Sequence, residues 1–215
     1  MLRLRLVRHG ETTANKEGRL QGHADFPLSD NGNQQASALA DRMRCEQYVP
    51  THTYSSPLHR TADTARIATA YLDTQIIYWN DLMEYDVGIV SGLTLEEIAV
   101  QHPQIDIELE LSRQFSGVEK SESLADRRRR ATRVVDAIIG QHEQGDSVLV
   151  VSHGGFIQQV IAVLMGTTRT WGFSVRNTAV FDFSIDMLAW TGPEETKIST
   201  GLFRIERFND ASHLD

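Results

Sequence analysis

The chain has 215 residues, 40% of them hydrophobic and 23% charged, with 15 glycines and 5 prolines. That composition is enough for a well-cored globular fold and excludes a disordered or collagen-like chain. The formal net charge of −8 argues against non-specific nucleic-acid binding, which relies on a basic surface; a phosphate site would have to be built locally from a few Arg and His side chains. Cys45 is the only cysteine, so no internal disulfide framework is expected and a reducing compartment suits the chain. No apolar run approaches the ~20 residues of a membrane span. The start, Met1 to Val7, is too short and too alternating for a signal peptide, and the expected location is cytoplasmic.

Leu2, Leu4 and Leu6 alternate with Arg3 and Arg5, the period-two signature of a strand ending at Val7. After a turn-rich stretch through Pro27, Ala36, Leu39, Ala40 and Met43 recur at helical spacing, predicting a helix from about Asp30 to Glu46 with Ser29 as N-cap. His52 to Ser55 reads as a second strand, Thr61 to Leu72 as a helix, and Gln75 to Tyr78 as a third strand. The segment from about 83 to 120 breaks this alternation. It holds a short helix from Thr94 to Gln101, opened by a Thr94/Glu97 capping box, and is read as a cap-like insertion within a single domain spanning 1–215. Ser123 with Asp126 opens a helix to about His142, and Ser147 to Val151 is an apolar strand of the buried, parallel kind. Phe156 to Met165 is an apolar helix with Gly166 at its C-terminal cap. Thr178 to Ile185 and Leu202 to Phe208 read as late strands before a frayed polar tail. Strands alternating with helices predict an α/β fold: a three-layer αβα sandwich, a mostly parallel central sheet and a small inserted cap.

Two places share one design. The strand ending at Val7 is followed by Arg8-His9-Gly10, and the strand ending at Val151 by Ser152-His153-Gly154. In open α/β sheets ligands bind beyond the carboxyl ends of the strands, so His9 and His153 would meet in one crevice. Either alone reads as an ordinary loop histidine beside a turn glycine; the pair, with its cationic companions, points to a site. Those companions are Arg8 and Arg60, the latter in Ser55-Ser-Pro-Leu-His-Arg60 just past the second strand. A guanidinium matches phosphate oxygens with a rigid fork and keeps its charge. A surface pairing of Arg60 with Asp63 or another local carboxylate is the plain alternative. The helix after Gly154 would aim free N–H groups at the same crevice. Glu84 is a weak signal on its own, because an isolated glutamate is usually a solvated surface group.

These residues resemble the histidine phosphatase superfamily, also called phosphoglycerate-mutase-like. The resemblance is carried by Leu6-Val-Arg-His-Gly-Glu-Thr12, then Asn15, Gln21-Gly22 and Asp25-Phe-Pro-Leu28, then Ser55 to Arg60 with Thr64-Ala65, Leu82-Met-Glu84, Glu122-Ser123 and Ser152-His-Gly-Gly155. It runs in order from Leu2 to about Asn177. The resemblance implies that His9 is a nucleophile forming a phosphohistidine, that Arg8, Arg60 and His153 clamp the phosphoryl oxygens, and that Glu84 protonates the leaving oxygen and then activates water. It also implies that Asn15, Gln21, Gly22 and the Gly154 backbone line the phosphate pocket, with no metal and no cofactor. No Cys, His and carboxylate cluster stands out at metal-ligand spacing. One stretch departs from the family pattern. Where members carry an aromatic, a glycine, a tryptophan and a glutamate before a second glycine, this chain has Val87-Gly-Ile-Val-Ser-Gly92.

The expected function is a metal-independent phosphatase acting on small phosphate monoesters. The alternatives are a cofactor-dependent phosphoglycerate mutase and a catalytically weak phosphate-binding protein on the same fold. A mutase would carry a longer insertion between the acid motif and the late helix. The expected partner is a small phosphorylated metabolite, with no nucleic acid and no membrane, for a monomer or homodimer. The run Arg127 to Arg130 with Arg133 is read as a mostly solvated helix face, with Arg130 alone matching a recurrent family arginine. Trp79, Trp171 and Trp190 are expected to pack, and Tyr85, Phe115 and Phe173 are candidates for the leaving-group pocket.

Overall fold

In a computed structural model, which describes residues 1–170, 173–191 and 199–215, six strands form one sheet in the order β3-β2-β4-β1-β5-β6. They are β1 Leu2–Arg8, β2 His52–Ser55, β3 Ile76–Tyr78, β4 Ser147–Ser152, β5 Val180–Ile185 and β6 Phe203–Asp210. The first four run parallel, while β5 pairs antiparallel with both β1 and β6. The sheet is mostly parallel, as the alternation of elements predicts.

The helices among the described residues are α1 Thr13–Lys16, α2 Asp30–Cys45, α3 His59–Ala68, α4 Leu95–Gln101, α5 Ile107–Ser112, α6 Leu124–Gln141, α7 Gly154–Leu164, α8 Met187–Thr191 and α9 Ser199–Leu202. Ser29 caps α2 through its side chain, Thr94 and Glu97 form the expected capping box, and Ser123 caps α6. Helix α7 starts two residues earlier than the apolar pattern, because the two glycines after His153 already adopt helical geometry.

The period-two alternation of β1 splits its side chains between two cores. Leu2, Leu4 and Leu6 face α6 and α7, where Val134, Ile138, Phe156 and Val160 are buried with them. Val7, with Leu149 and Val151, faces Leu39 and Met43 of α2 and Ala65 of α3. Each such Leu or Phe removed from water contributes about 1.5–3 kcal/mol, so the sheet is held from both faces. Trp79 and Trp190 pack against the first core as expected; Trp171 lies outside the described residues. Over residues 83–120, a third apolar cluster forms from Val87, Val90, Ile98, Phe115 and Val118.

Two expectations are corrected. The tail is anchored rather than frayed: Ala211 is buried, His213 Nε2 meets Thr178 Oγ1 at 2.9 Å, and Arg42 pairs with Asp210. These partners are remote in sequence, which is why local polarity misled. The arginine run on α6 is not uniformly solvated either. Arg127 is 0% exposed and Arg130 9%, while only Arg129 and Arg133 reach well into solvent. At 3.6 residues per turn, positions 127 and 130 share the inward face.

Candidate active site

The strand ends bring the two histidine loops together. His9 N–H donates to the Ser152 carbonyl at 3.0 Å, and the two imidazole centroids stand 5.2 Å apart. The loop after β1 is pressed onto the start of α2, so that a Cβ at Gly10 would meet the Gly32 carbonyl oxygen at 2.6 Å. Gly10 N–H donates to Thr64 Oγ1 at 3.0 Å, and Asn177 Nδ2 donates to the His9 carbonyl at 3.0 Å. Together these bonds fix the backbone on both sides of His9.

His9 is 3% exposed. Its Nδ1 lies 2.7 Å from the Gly10 carbonyl, an acceptor, so Nδ1 carries the proton and Nε2 keeps its lone pair. Burial first, and then the nearby Arg8 and Arg60 cations, hold its pKa well below the ordinary histidine range. His153, fully buried, is pushed down in the same way by burial and by Arg60, His9 and Arg8. Both imidazoles are neutral in a pocket whose positive charge comes from guanidinium groups.

Arg60 is 1% exposed. Its Nη2 donates to Gly22 O at 2.8 Å, Nη1 to Ala24 O at 3.0 Å, and Nε to His153 Nδ1 at 3.2 Å. Three of its five N–H donors are engaged, leaving one on each Nη. Burial lowers its pKa to about 10, against the pull of Glu84 and Asp25, so it stays cationic at neutral pH. The local pairing with Asp63 does not occur; Asp63 pairs with Arg66, and Asp25 approaches Arg60 to 3.8 Å. With Nδ1 accepting from Arg60, the His153 Nε2–H donates to Ser56 Oγ at 2.9 Å. Arg8 donates through Nη1 to the Val175 carbonyl, while its buried Nε has no partner among the described residues.

Glu84 is half-buried. Its Oε2 accepts from the Gly155 N–H at 3.0 Å and its Oε1 from the Tyr85 N–H at 3.1 Å. Asn15 and Gln21 converge on Thr12: Asn15 Oδ1 accepts from Thr12 N at 3.1 Å, and Gln21 Oε1 lies 3.0 Å from Thr12 Oγ1. Their carbonyl ends are thereby occupied, leaving the NH2 ends as donors. Gly22 contributes its carbonyl to Arg60. Gly154 opens α7 beside Arg8, whose Nε would stand 3.4 Å from a Cβ placed there. Of the nine residues expected from the sequence, Arg8 ends β1 and the other eight lie in the loops around the strand ends or on the helices those loops begin.

The sequence marks Ser56, Thr64 and Gly155 only as parts of motifs, Asn177 only as the end of the resemblance, Arg127 within a run read as solvated, and Arg130 as a recurrent family arginine without a role. The hydrogen bonds of Ser56, Thr64, Gly155 and Asn177 are long-range, so no role could be read for them from local pattern. Arg130 pairs with Glu122 at 2.6 Å and donates to the Asp81 and Met83 carbonyls, bracing the turn before Glu84. Arg127 stacks on the Tyr85 ring at 3.7 Å. Of the three aromatic candidates only Tyr85 adjoins Glu84. Phe115 is enclosed in the third cluster, and Phe173 packs on Phe181 and Phe208.

The buried Arg60 and half-buried Arg8 guanidiniums, two neutral imidazoles and the N-terminus of an eleven-residue helix around one crevice suit a phosphoryl group. Comparison with known proteins agrees. The chain is 32% identical over 216 residues to phosphoglycerate mutase-like protein 4 of Arabidopsis thaliana, covering 98% of this chain and 86% of that protein. It is 38% identical over 167 residues to a metal-independent phosphoserine phosphatase of Arabidopsis thaliana, covering 72% and 65% respectively. The structure of Bacillus stearothermophilus YhfR superposes with a TM-score of 0.83 at 28% identity, with each chain fully covered. The sequence profile of the histidine phosphatase superfamily (branch 1) matches residues 4–192, and the chain belongs to that family.

Proposed function

We propose that this protein is a phosphatase that hydrolyses small-molecule phosphate monoesters without a metal ion, through a phosphohistidine on His9. The observation that carries this reading is the His9 imidazole, with Nδ1 committed to the Gly10 carbonyl and Nε2 free, set among Arg8, Arg60 and His153. In the proposed cycle, His9 Nε2 attacks phosphorus and the P–O bond to the leaving alcohol breaks. Glu84 donates its proton to the departing oxygen. The carboxylate then takes a proton from water as that water attacks the phosphohistidine, releasing inorganic phosphate and restoring neutral His9. Arg8, the two uncommitted Nη–H groups of Arg60 and the NH2 ends of Asn15 and Gln21 would hold the equatorial oxygens. His153 joins them if its Nε2–H turns from Ser56 to the phosphoryl group. The residues between Glu84 and α6 would form the cap over the leaving group.

A phosphoglycerate mutase uses the same nucleophile. Hydrolysis is favoured by the short span between Glu84 and α6, and by the resemblance to the metal-independent phosphoserine phosphatase. The test is phosphate release from a panel of monoesters under chelator, by wild type and His9→Ala, with 3-phosphoglycerate plus a trace of bisphosphoglycerate in the panel. Hydrolysis by wild type, reduced at least ~10³-fold in the variant, is the expected result. Appearance of the 2-phosphate isomer without phosphate release would replace the phosphatase reading by the mutase one. Turnover that survives in His9→Ala would remove the phosphohistidine.

A further inference from the structure

At the other end of the sheet, away from the crevice, His52 opens β2, His142 follows α6, and Asp146 precedes β4. His52 stands in register with Val148, whereas Ser55 at the crevice end stands with Val151, so about 10 Å of strand separates the two ends. One ligand atom from each of His52, His142 and Asp146 lies within 4.8 Å of the others, and the two imidazole centroids are 4.4 Å apart. The His142 side chain is only 2% exposed, yet its Nδ1 has no hydrogen-bond partner among the described residues; the Asp146 Oδ2 carboxylate oxygen is 3.6 Å away. That is too long for a hydrogen bond and leaves room for something between them.

The surroundings orient both rings. His142 Nε2 lies 3.2 Å from the buried Tyr54 hydroxyl, and donation there leaves the Nδ1 lone pair toward Asp146. Thr51 Oγ1 accepts from Ser147 N–H at 3.1 Å and donates to Ser147 O at 3.2 Å. With that proton committed, His52 Nδ1–H donates to Thr51 Oγ1 at 3.0 Å and Nε2 is the free nitrogen. A second partner on the non-ligating nitrogen is the usual device that fixes a metal-binding histidine. Asp146 is steadied by the Glu143 N–H at 2.9 Å.

We infer that His52, His142 and Asp146 form a site for one divalent transition-metal ion of the zinc type, with water completing the coordination. Two imidazoles and a carboxylate are a borderline-soft donor set of the kind zinc, cobalt and nickel accept. Bonds of roughly 2.0–2.2 Å set tetrahedral ligands about 3.3–3.5 Å apart, so shifts of about an ångström in His52 and Asp146, both only half-buried, would close the site. The ion would clip the start of β2 to the α6–β4 loop and take no part in the reaction. Sequence spacing pairs only His142 with Asp146, since His52 lies ninety residues upstream.

The experiment is titration of the metal-free protein with Zn2+ by calorimetry and with Co2+ by visible absorption, for wild type, His52→Ala, Asp146→Asn and His9→Ala. One ion per chain, the visible bands of tetrahedral Co2+, and binding at least tenfold weaker in both His52→Ala and Asp146→Asn but unchanged in His9→Ala are expected. Circular dichroism of the metal-free variants separates loss of ligand from loss of fold. The inference is overturned if wild type binds neither ion more tightly than about 100 µM. It is equally overturned if folded His52→Ala and Asp146→Asn bind like wild type, or if His9→Ala abolishes binding.

Discussion

The backbone N–H of Gly155 donates to Glu84 Oε2 across 3.0 Å, and a Cβ on Gly155 would stand 2.9 Å from Glu84 Oε1 and 2.0 Å from Tyr85 Cε1. The first turn of α7 thus holds the candidate acid at a distance that only glycine permits, because Tyr85 cannot retreat while Arg127 stacks on its ring. Gly155→Ala is expected to displace Glu84 and Tyr85 together and to lower kcat about 10–100-fold with little change in KM, since misplacement of about 1 Å costs on that order. Steady-state kinetics on the best monoester checks this; an unchanged kcat would mean that Glu84 is not held by this contact.

Ser56 is the buried partner of His153 Nε2. Removing its hydroxyl leaves a buried imidazole N–H unpaired, at a cost of about 1–3 kcal/mol. Ser56→Ala should therefore lower the urea midpoint by that equivalent, measured by circular dichroism. If His153 must turn away from Ser56 to reach the phosphoryl group, the variant should also lose less in kcat/KM than in stability.

Arg130 and Glu122 form a largely enclosed pair, with side chains 10% and 16% exposed, and Arg130 also lies over the Phe156 ring at 4.2 Å. Arg130→Met strands the Glu122 carboxylate and the Asp81, Met83 and Glu84 carbonyls. Breaking one side of such a pair typically costs about 3–5 kcal/mol, so denaturant unfolding should show a loss of that size, with Glu122→Gln milder.

Four histidines, His9, His153, His142 and His213, have pKa values lowered in the folded state, in each case by burial first; that of His213 falls to about 4. Unfolding releases them to the ordinary value of about 6.5. Below that pH the unfolded chain takes up protons that the native chain refuses, so their contribution is complete above about pH 6.5 and is lost as pH falls toward the native values. Each adds up to about 1.4 kcal/mol per pH unit to the slope. Urea midpoints at pH 7.5, 6 and 5 should fall in that order, and His213→Asn should flatten the slope if it folds.

The six strands and the longer helices were legible from local pattern, whereas the short helices α1, α5, α8 and α9 were not foreseen. The alternating leucines of β1, the apolar run of β4 and the caps at Ser29, Thr94 and Ser123 each stand where the sequence places them, because period and capping are properties of a few consecutive residues. Arg5 shows the limit. Alternation marks it only as opposite to the leucines, yet it is 4% exposed, held by Asp182 and Glu46 from two other elements. Its burial depends on charges that arrive from residues 41 and 177 positions away.

Motif order and periodicity alone carry the α/β alternation, the two histidine loops at strand ends, and the arginines that accompany them, because each is written in a few consecutive residues. Packing in three dimensions sets which nitrogen of His9 is free, that Arg60 spends three of its donors on His153 and on the Gly22 and Ala24 carbonyls, that Arg127 and Arg130 turn inward, and that His52 meets His142 and Asp146. The reason is physical. Hydrogen bonds, desolvation and ligand clustering depend on distances of a few ångströms between segments far apart in the chain, and local pattern carries no record of those distances.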